Sequence, residues 1–210
     1  MADPMHAPTR LYLIRHGEVE ERYHKIFGGR IDMNLSVLGQ EQAAALASYL
    51  QTVPFDAIYC SPMRRVQQTL QKLVEYQAPA PTVLHELREV DFGVWTGLAW
   101  EEIQARFGVS AFEWLRELET GSIAEAEPAD RFRDRIQAAL RPILSEGPGR
   151  SVAVVCHGGV IRMILAILLE LPLRTMAGFD FEYASVSVVD WLPGKVEVQL
   201  LNFTPWRDRR

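Results

Sequence analysis

Cysteine is scarce. Two thiols, Cys60 and Cys156, among 210 residues are too few for a disulfide framework or a structural zinc site. No apolar run reaches the roughly 18 to 20 residues that a membrane-crossing helix needs. The most apolar stretch, Val160 to Leu173, is interrupted by Arg162 and Glu170 and reads as a buried helix. The opening MADPMHAPTR lacks the basic start and continuous apolar core of a secretory signal. Together these absences point to the cytoplasm. Runs of basic residues are missing too: 22 Lys and Arg stand against 27 Asp and Glu, a formal charge of −5. That balance excludes a general nucleic-acid binder and a polybasic membrane anchor. It leaves room for a small anionic ligand, which feels charges within a Debye length of ~8–10 Å more than it feels the molecular sum.

What is present is an ordinary globular composition, 48% apolar and 23% charged, in short aliphatic runs alternating with helical patterns. Strands are expected at Leu11 to Ile14, Ala57 to Cys60, Val152 to Cys156 and Ser185 to Trp191. After the last, Pro193-Gly194 signals a turn into Val196 to Leu201, hence an antiparallel hairpin at a sheet edge. Ala43, Leu46, Ala47 and Leu50 share a helix face, as do Val66, Leu70, Leu73 and Val74. Ser61 and Pro62 read as N-cap and first residue of the second of these helices. The expected fold is a three-layer α/β/α sandwich with a mostly parallel sheet and an antiparallel edge strand. Residues 1–9 read as a disordered lead-in and 10–205 as one domain. Within it 91–130 is an excursion from the core sheet, and 206–210 forms a tail.

Three of the expected strands end in cationic or imidazole side chains: Arg15-His16-Gly17, Ser61-Pro62-Met63-Arg64-Arg65 and His157-Gly158-Gly159. Open α/β sheets bind ligands outside the carboxyl ends of their strands, so these groups converge on one hollow. Glycines there let backbone approach a ligand, and helices beginning near Pro62 and Gly158 aim their positive ends at it. Such a hollow suits phosphate. No Asp/His cluster has metal-ligand spacing, and no metal or other cofactor is implied.

Arg15-His16-Gly17-Glu18, Phe27, Gly29, Asp32, Leu35 to Gly39, Ser61 with Arg65 and Thr69, Leu87-Arg88-Glu89, Gly93, Trp95, Gly97 and His157-Gly158-Gly159 follow one another in a familiar order. Over residues 10 to 205 the chain resembles the histidine phosphatase superfamily, in its phosphoglycerate-mutase-like branch. The resemblance implies that His16 is the nucleophile and becomes phosphohistidine. Arg15, Arg65 and His157 would clamp the phosphoryl oxygens, and Glu89 would protonate the leaving oxygen and then activate water. It also sets Gly28, Gly29 and Gly158 against substrate. Adjacent in a first helical turn, Arg64 and Arg65 point about 100° apart; the resemblance selects Arg65. By local sequence Glu86, Glu89 and Asp91 are equal candidates for the acid, and only the resemblance singles out Glu89.

Departures from the family pattern gather at Val19, Arg22, Ile26, Gly28 and Asn34, so Glu20 to Asp32 reads as a rebuilt substrate-facing loop. His24, Lys25 and Arg30 offer a second anion contact there, against the plainer reading of solvated loop charges. The expected partner is a small phosphomonoester, with a homodimer left open. Rival readings are mutase-type phosphoryl transfer, a non-catalytic phosphate-binding module, and a cysteine phosphatase. The last rests on Cys156 to Arg162, which fits C-x5-R.

Overall fold

Residues 7–74, 79–145 and 147–208 are described by a computed structural model. Met1–His6 of the lead-in, and Arg209 and Arg210 of the tail, lie outside them. The six strands are β1 (Thr9–Arg15), β2 (Ala57–Cys60), β3 (Thr82–Val83), β4 (Ser151–Cys156), β5 (Val186–Leu192) and β6 (Lys195–Phe203), in the spatial order β3-β2-β4-β1-β5-β6. Contacts β2 with β3, β2 with β4 and β1 with β4 are parallel. The β5–β6 hairpin adds antiparallel to β1 and closes that edge. The mixed sheet with helices on both sides is the expected sandwich. Strand β1 takes in Thr9, which the sequence placed in the lead-in, and Trp206 to Asp208 of the tail belong to a short helix, α7 (Pro205–Asp208). Strand β3 went unread because two exposed residues carry no periodicity.

Alternation along the central strands sorts side chains to two cores. Leu11, Leu13, Val152, Val154 and Cys156 pack with α5 (Ala129–Ser145) and α6 (Gly158–Leu168) on one face. Ile14, Ala153, Val155, Ile58 and Cys60 pack with α1 (Val37–Leu50) and α2 (Arg64–Val74) on the other. The connection after β1 therefore leaves to one face and the connection after β4 to the other. Adjacent strands that diverge in this way open a crevice between their carboxyl ends, and Arg15 and Cys156, which face each other in register, mark its floor.

Helix α2 begins at Arg64, not at Pro62. Ser61 hardly caps it, since its Oγ is 3.4 Å from the Met63 amide and 2.8 Å from His157 Nε2. The excursion carries two short helices, α3 (Trp100–Phe107) and α4 (Trp114–Glu119), and packs on the α5/α6 face through Trp95, Ile103, Leu115 and Leu118.

Candidate active site

The crevice holds a cavity of about 330 Å³ whose wall includes Arg15, His16, Gly28, Gly29, Arg65, Glu89 and Gly158. His16 follows the last residue of β1, and its backbone is tied on both sides: its amide donates to Cys156 O (3.1 Å) and its carbonyl accepts from the Ala184 amide (3.0 Å). Its ring Nδ1 is 2.7 Å from Gly17 O. A carbonyl only accepts, so Nδ1 carries the proton and Nε2 holds the lone pair. Arg65 Nε donates to that Nε2 at 3.1 Å, which confirms the tautomer by its geometry. Burial, then Arg65 and Arg15, hold the His16 imidazole well below its ordinary range, while the Gly17 carbonyl pulls weakly the other way. The ring is neutral at physiological pH, with its Nε2 lone pair turned to Arg65.

Gly17 is required by close packing. A Cβ there would sit 2.5 Å from Gly39 O, and one on Gly39 would sit 2.0 Å from Glu18 O. The two glycines let the turn after His16 lie directly on the start of α1, whose N-cap Ser36 accepts from the Gly39 amide and donates to Glu18 Oε1 at 2.8 Å.

Arg65 is 3% exposed and works as a brace. Its remaining nitrogens donate to Ile31 O (2.8 Å) and Gly29 O (3.0 Å), locking the substrate-facing loop to α2. Gly29 thus meets Arg65 through its carbonyl and adopts a φ of +45°, which suits glycine. Burial lowers the Arg65 guanidinium to about 10, still cationic at neutral pH. Arg64 is surface-exposed and pairs with Asp32 at 3.3 Å, in line with the resemblance that selected Arg65. Arg15 donates to Phe181 O and stacks its guanidinium 4.0 Å above the Tyr183 ring, while its buried Nε has no protein partner.

His157 is fully buried, with its ring centroid 5.2 Å from that of His16. It does not itself line the cavity. Its Nε2 lies 2.8 Å from Ser61 Oγ, and its Nδ1 is a buried nitrogen with no partner in the protein. Burial, then Arg65 and His16, hold this imidazole well below its ordinary range as well. Glu89 hangs over the first turn of α6, accepting from the Gly159 amide at 3.2 Å and from Val90 at 3.0 Å. A side chain at Gly159 would put its Cβ 2.4 Å from Glu89 Oε1. Behind Glu89, Arg135 of α5 donates to the carbonyls of Glu86, Arg88 and Glu89 and forks onto Glu127 at 2.6 and 2.7 Å. Of the rival acids, Asp91 turns away to bond the Gly93 amide and Arg30, and Glu86 does not line the cavity.

Two buried nitrogens without protein partners, the donor Arg15 Nε and His157 Nδ1, lie beside a neutral imidazole that presents a lone pair. Such a set can stabilise charge on the oxygens of a tetrahedral phosphoryl group while the imidazole attacks it.

The cysteine reading fails. Cys156 is fully buried among the α5/α6 core side chains, and burial pushes its thiol up rather than down, the reverse of what a thiolate nucleophile needs. His24 bonds Val19 O at 2.9 Å, and Arg30 pairs with Asp91 and Glu127, so both are engaged within the fold. Arg162, Asp180 and Tyr183 line the cavity and had not been singled out as part of a phosphate site. Arg162 had entered only through the cysteine motif, and Tyr183 belongs to an irregular segment with no periodic signal. Among the described residues no group of three or more His, Cys, Asp or Glu is placed to hold a metal ion, and no helix is long and apolar enough to cross a membrane.

Comparison with known proteins gives the same picture along the whole domain. The chain is 26% identical over 193 residues to the adenosylcobalamin/alpha-ribazole phosphatase of Salmonella typhimurium, covering 92% of this chain and 96% of that one. It is 27% identical over 196 residues to phosphoserine phosphatase 1 of Hydrogenobacter thermophilus, covering 93% of each. Among solved structures it is similar to the mycobacterial glucosyl-3-phosphoglycerate phosphatase Rv2419c, with a TM-score of 0.78, 29% identity and coverage of 92% and 98%. The family profile of the histidine phosphatase superfamily, branch 1, matches residues 11–204, and the chain belongs to that family.

Proposed function

We propose that the chain hydrolyses phosphomonoesters of small metabolites in two steps through a phosphohistidine at His16. The observation that carries this reading is the fixed tautomer: Nδ1 is tied to Gly17 O, and Nε2 is left as the lone pair beside Arg65. In the first step His16 Nε2 attacks phosphorus, the ester P–O bond breaks, and protonated Glu89 gives its proton to the departing alkoxide. Arg15 and Arg65, with His157 behind them, take the charge that spreads over the equatorial oxygens. In the second step the Glu89 carboxylate removes a proton from water, the hydroxide oxygen bonds to phosphorus, and the P–N bond breaks to release phosphate and neutral His16. Two free, buried cysteines support a cytoplasmic setting.

Rapid quenching during turnover tests the reading. Wild type accumulates acid-labile, alkali-stable phosphate on the protein, and His16→Ala accumulates none while losing at least ~10³-fold in turnover. Turnover retained in His16→Ala refutes it. Interconversion of 3-phosphoglycerate and 2-phosphoglycerate in the presence of 2,3-bisphosphoglycerate, without phosphate release, would replace hydrolysis by mutase chemistry.

A further inference from the structure

Beyond its phosphate end the cavity is a slot between two walls. The loop after β1 supplies Tyr23, Ile26 and Met33, and the excursion supplies Trp100, Phe112 and Trp114. The walls are joined, since Ile26 pairs with Ala99 in a β-bridge and the Trp100 amide donates to Lys25 O at 2.9 Å. Trp100 and Phe112 meet edge to face, 5.1 Å between centroids, yet remain 37% and 73% exposed. Large rings left this open beside a cavity mark a surface that receives an apolar group.

The polar inventory of the walls is as telling. Every cation that lines the cavity, Arg15, Arg65 and Arg162, lies at the sheet end, and Arg162 already donates to Gly158 O (3.2 Å) and Phe179 O (2.9 Å). The loop cations Arg22 and Arg30 pair with Glu20, Asp91 and Glu127. The lining carboxylates are Glu89 and Asp180, and no Ser, Thr, Asn or Gln side chain is among the lining residues. A substrate carboxylate entering the slot would meet Glu89, Asp180 and apolar surface, and a sugar would find few neutral partners besides the Tyr23 and Tyr183 hydroxyls and the indole N–H groups of Trp100 and Trp114. Each unpaired, desolvated polar group weighs against binding. A neutral aromatic ring faces neither difficulty and gains stacking area.

Taking the phosphatase reading as its basis, we infer that the alcohol released here is neutral and carries an aromatic ring that lies between Phe112 and Trp100 on one side and Tyr23 and Ile26 on the other. The cavity, about 330 Å³, is at the small end for ligand sites, which fits one such molecule rather than a phosphoprotein loop or a glycosylated phosphate.

The test compares phosphomonoesters that share a primary alkyl leaving group, so that intrinsic reactivity stays level: 2-phenylethyl phosphate, ethyl phosphate, phosphoserine, 3-phosphoglycerate and ribose 5-phosphate. The expected kcat/KM for 2-phenylethyl phosphate exceeds each of the others by about 10- to 100-fold, the range of one aromatic stacking contact. Phe112→Ala lowers the ratio of phenylethyl to ethyl phosphate turnover about tenfold, and Phe112→Tyr restores it. Phosphoserine, 3-phosphoglycerate or ribose 5-phosphate turned over as well as the phenylethyl ester overturns the inference and leaves the phosphatase reading standing. An unchanged ratio in Phe112→Ala does the same. Hydrolysis of none of the five, with no phosphate trapped on His16, defeats the phosphatase reading and this inference with it.

Discussion

Mild acid should destabilise this protein by way of its two buried histidines. His16 and His157 are 5% and 0% exposed, and burial followed by the nearby guanidinium of Arg65 holds both imidazoles well below their ordinary range. In the unfolded chain each titrates near 6.5. The unfolded state therefore binds more protons below that pH, and the stability present above it is lost as pH falls. For a histidine that stays neutral in the fold, lowering the pH from 7.5 to 5.5 favours the unfolded chain by about tenfold, or about 1.4 kcal/mol, and the pair together by about 2.7 kcal/mol. At this chain length that lowers the midpoint of thermal unfolding by about 5–10 °C. Arg22 and Arg207 hold the Glu20 and Asp208 carboxyls low, so these groups titrate below the window. Urea unfolding followed by the fluorescence of the five tryptophans measures the loss at the two pH values. His16→Asn should shrink it by about half. A pH-dependent loss of the same size in wild type and His16→Asn refutes the account.

Three further predictions rest on single contacts. Ser61→Ala removes the hydroxyl that holds His157 Nε2 at 2.8 Å, and kcat should fall about 10- to 100-fold, with Ser61→Thr recovering part of it; a purely structural role would move only the urea midpoint. Glu89→Gln should slow alkyl phosphates by about 10²–10⁴ in kcat. With p-nitrophenyl phosphate, whose leaving group needs no proton, it should instead yield a burst and accumulate phosphoenzyme. Gly39→Ala drives a Cβ against Glu18 O and should cost about 1–3 kcal/mol or more of stability, read in urea, together with activity because Gly17 and His16 must shift.

Much of this was legible beforehand, for reasons the structure makes plain. The central strands are continuous aliphatic runs because both of their faces are buried, so β1, β2, β4 and the β5–β6 hairpin could be placed within a residue or two. Residues at strand ends that carry chemistry were visible in the same way, since topology sends Arg15, His157 and one of Arg64 and Arg65 toward one crevice; only the family resemblance selected Arg65. The choice of Glu89 was not derivable from local sequence. It depends on Gly159, some 70 positions away, leaving room for a carboxylate over α6, and on Arg135 anchoring the segment from behind. Ser61 looked like a helix cap because Ser-Pro is a strong local signal, yet its hydroxyl turned to His157, a partner that only the fold supplies. Tyr183 carries no periodic signal and Arg162 read as part of C-x5-R, because the importance of both lies in what they face across the cavity, and no spacing along the chain encodes that.

The position of His16 has a consequence for how the molecule loses activity. Its backbone is stapled to β4 on one side and to the segment leading into β5 on the other, at the centre of the six-stranded sheet. Amides there exchange with solvent only when the whole domain opens, whereas short surface helices open far more often. His16 thus belongs to the slowest-exchanging part of the protein, while Trp100 opens an eight-residue surface helix and Phe112 sits in a three-residue 3-10 turn. Gentle warming should loosen selection among alcohols while phosphoryl chemistry persists, so the enzyme becomes less discriminating before it becomes inactive.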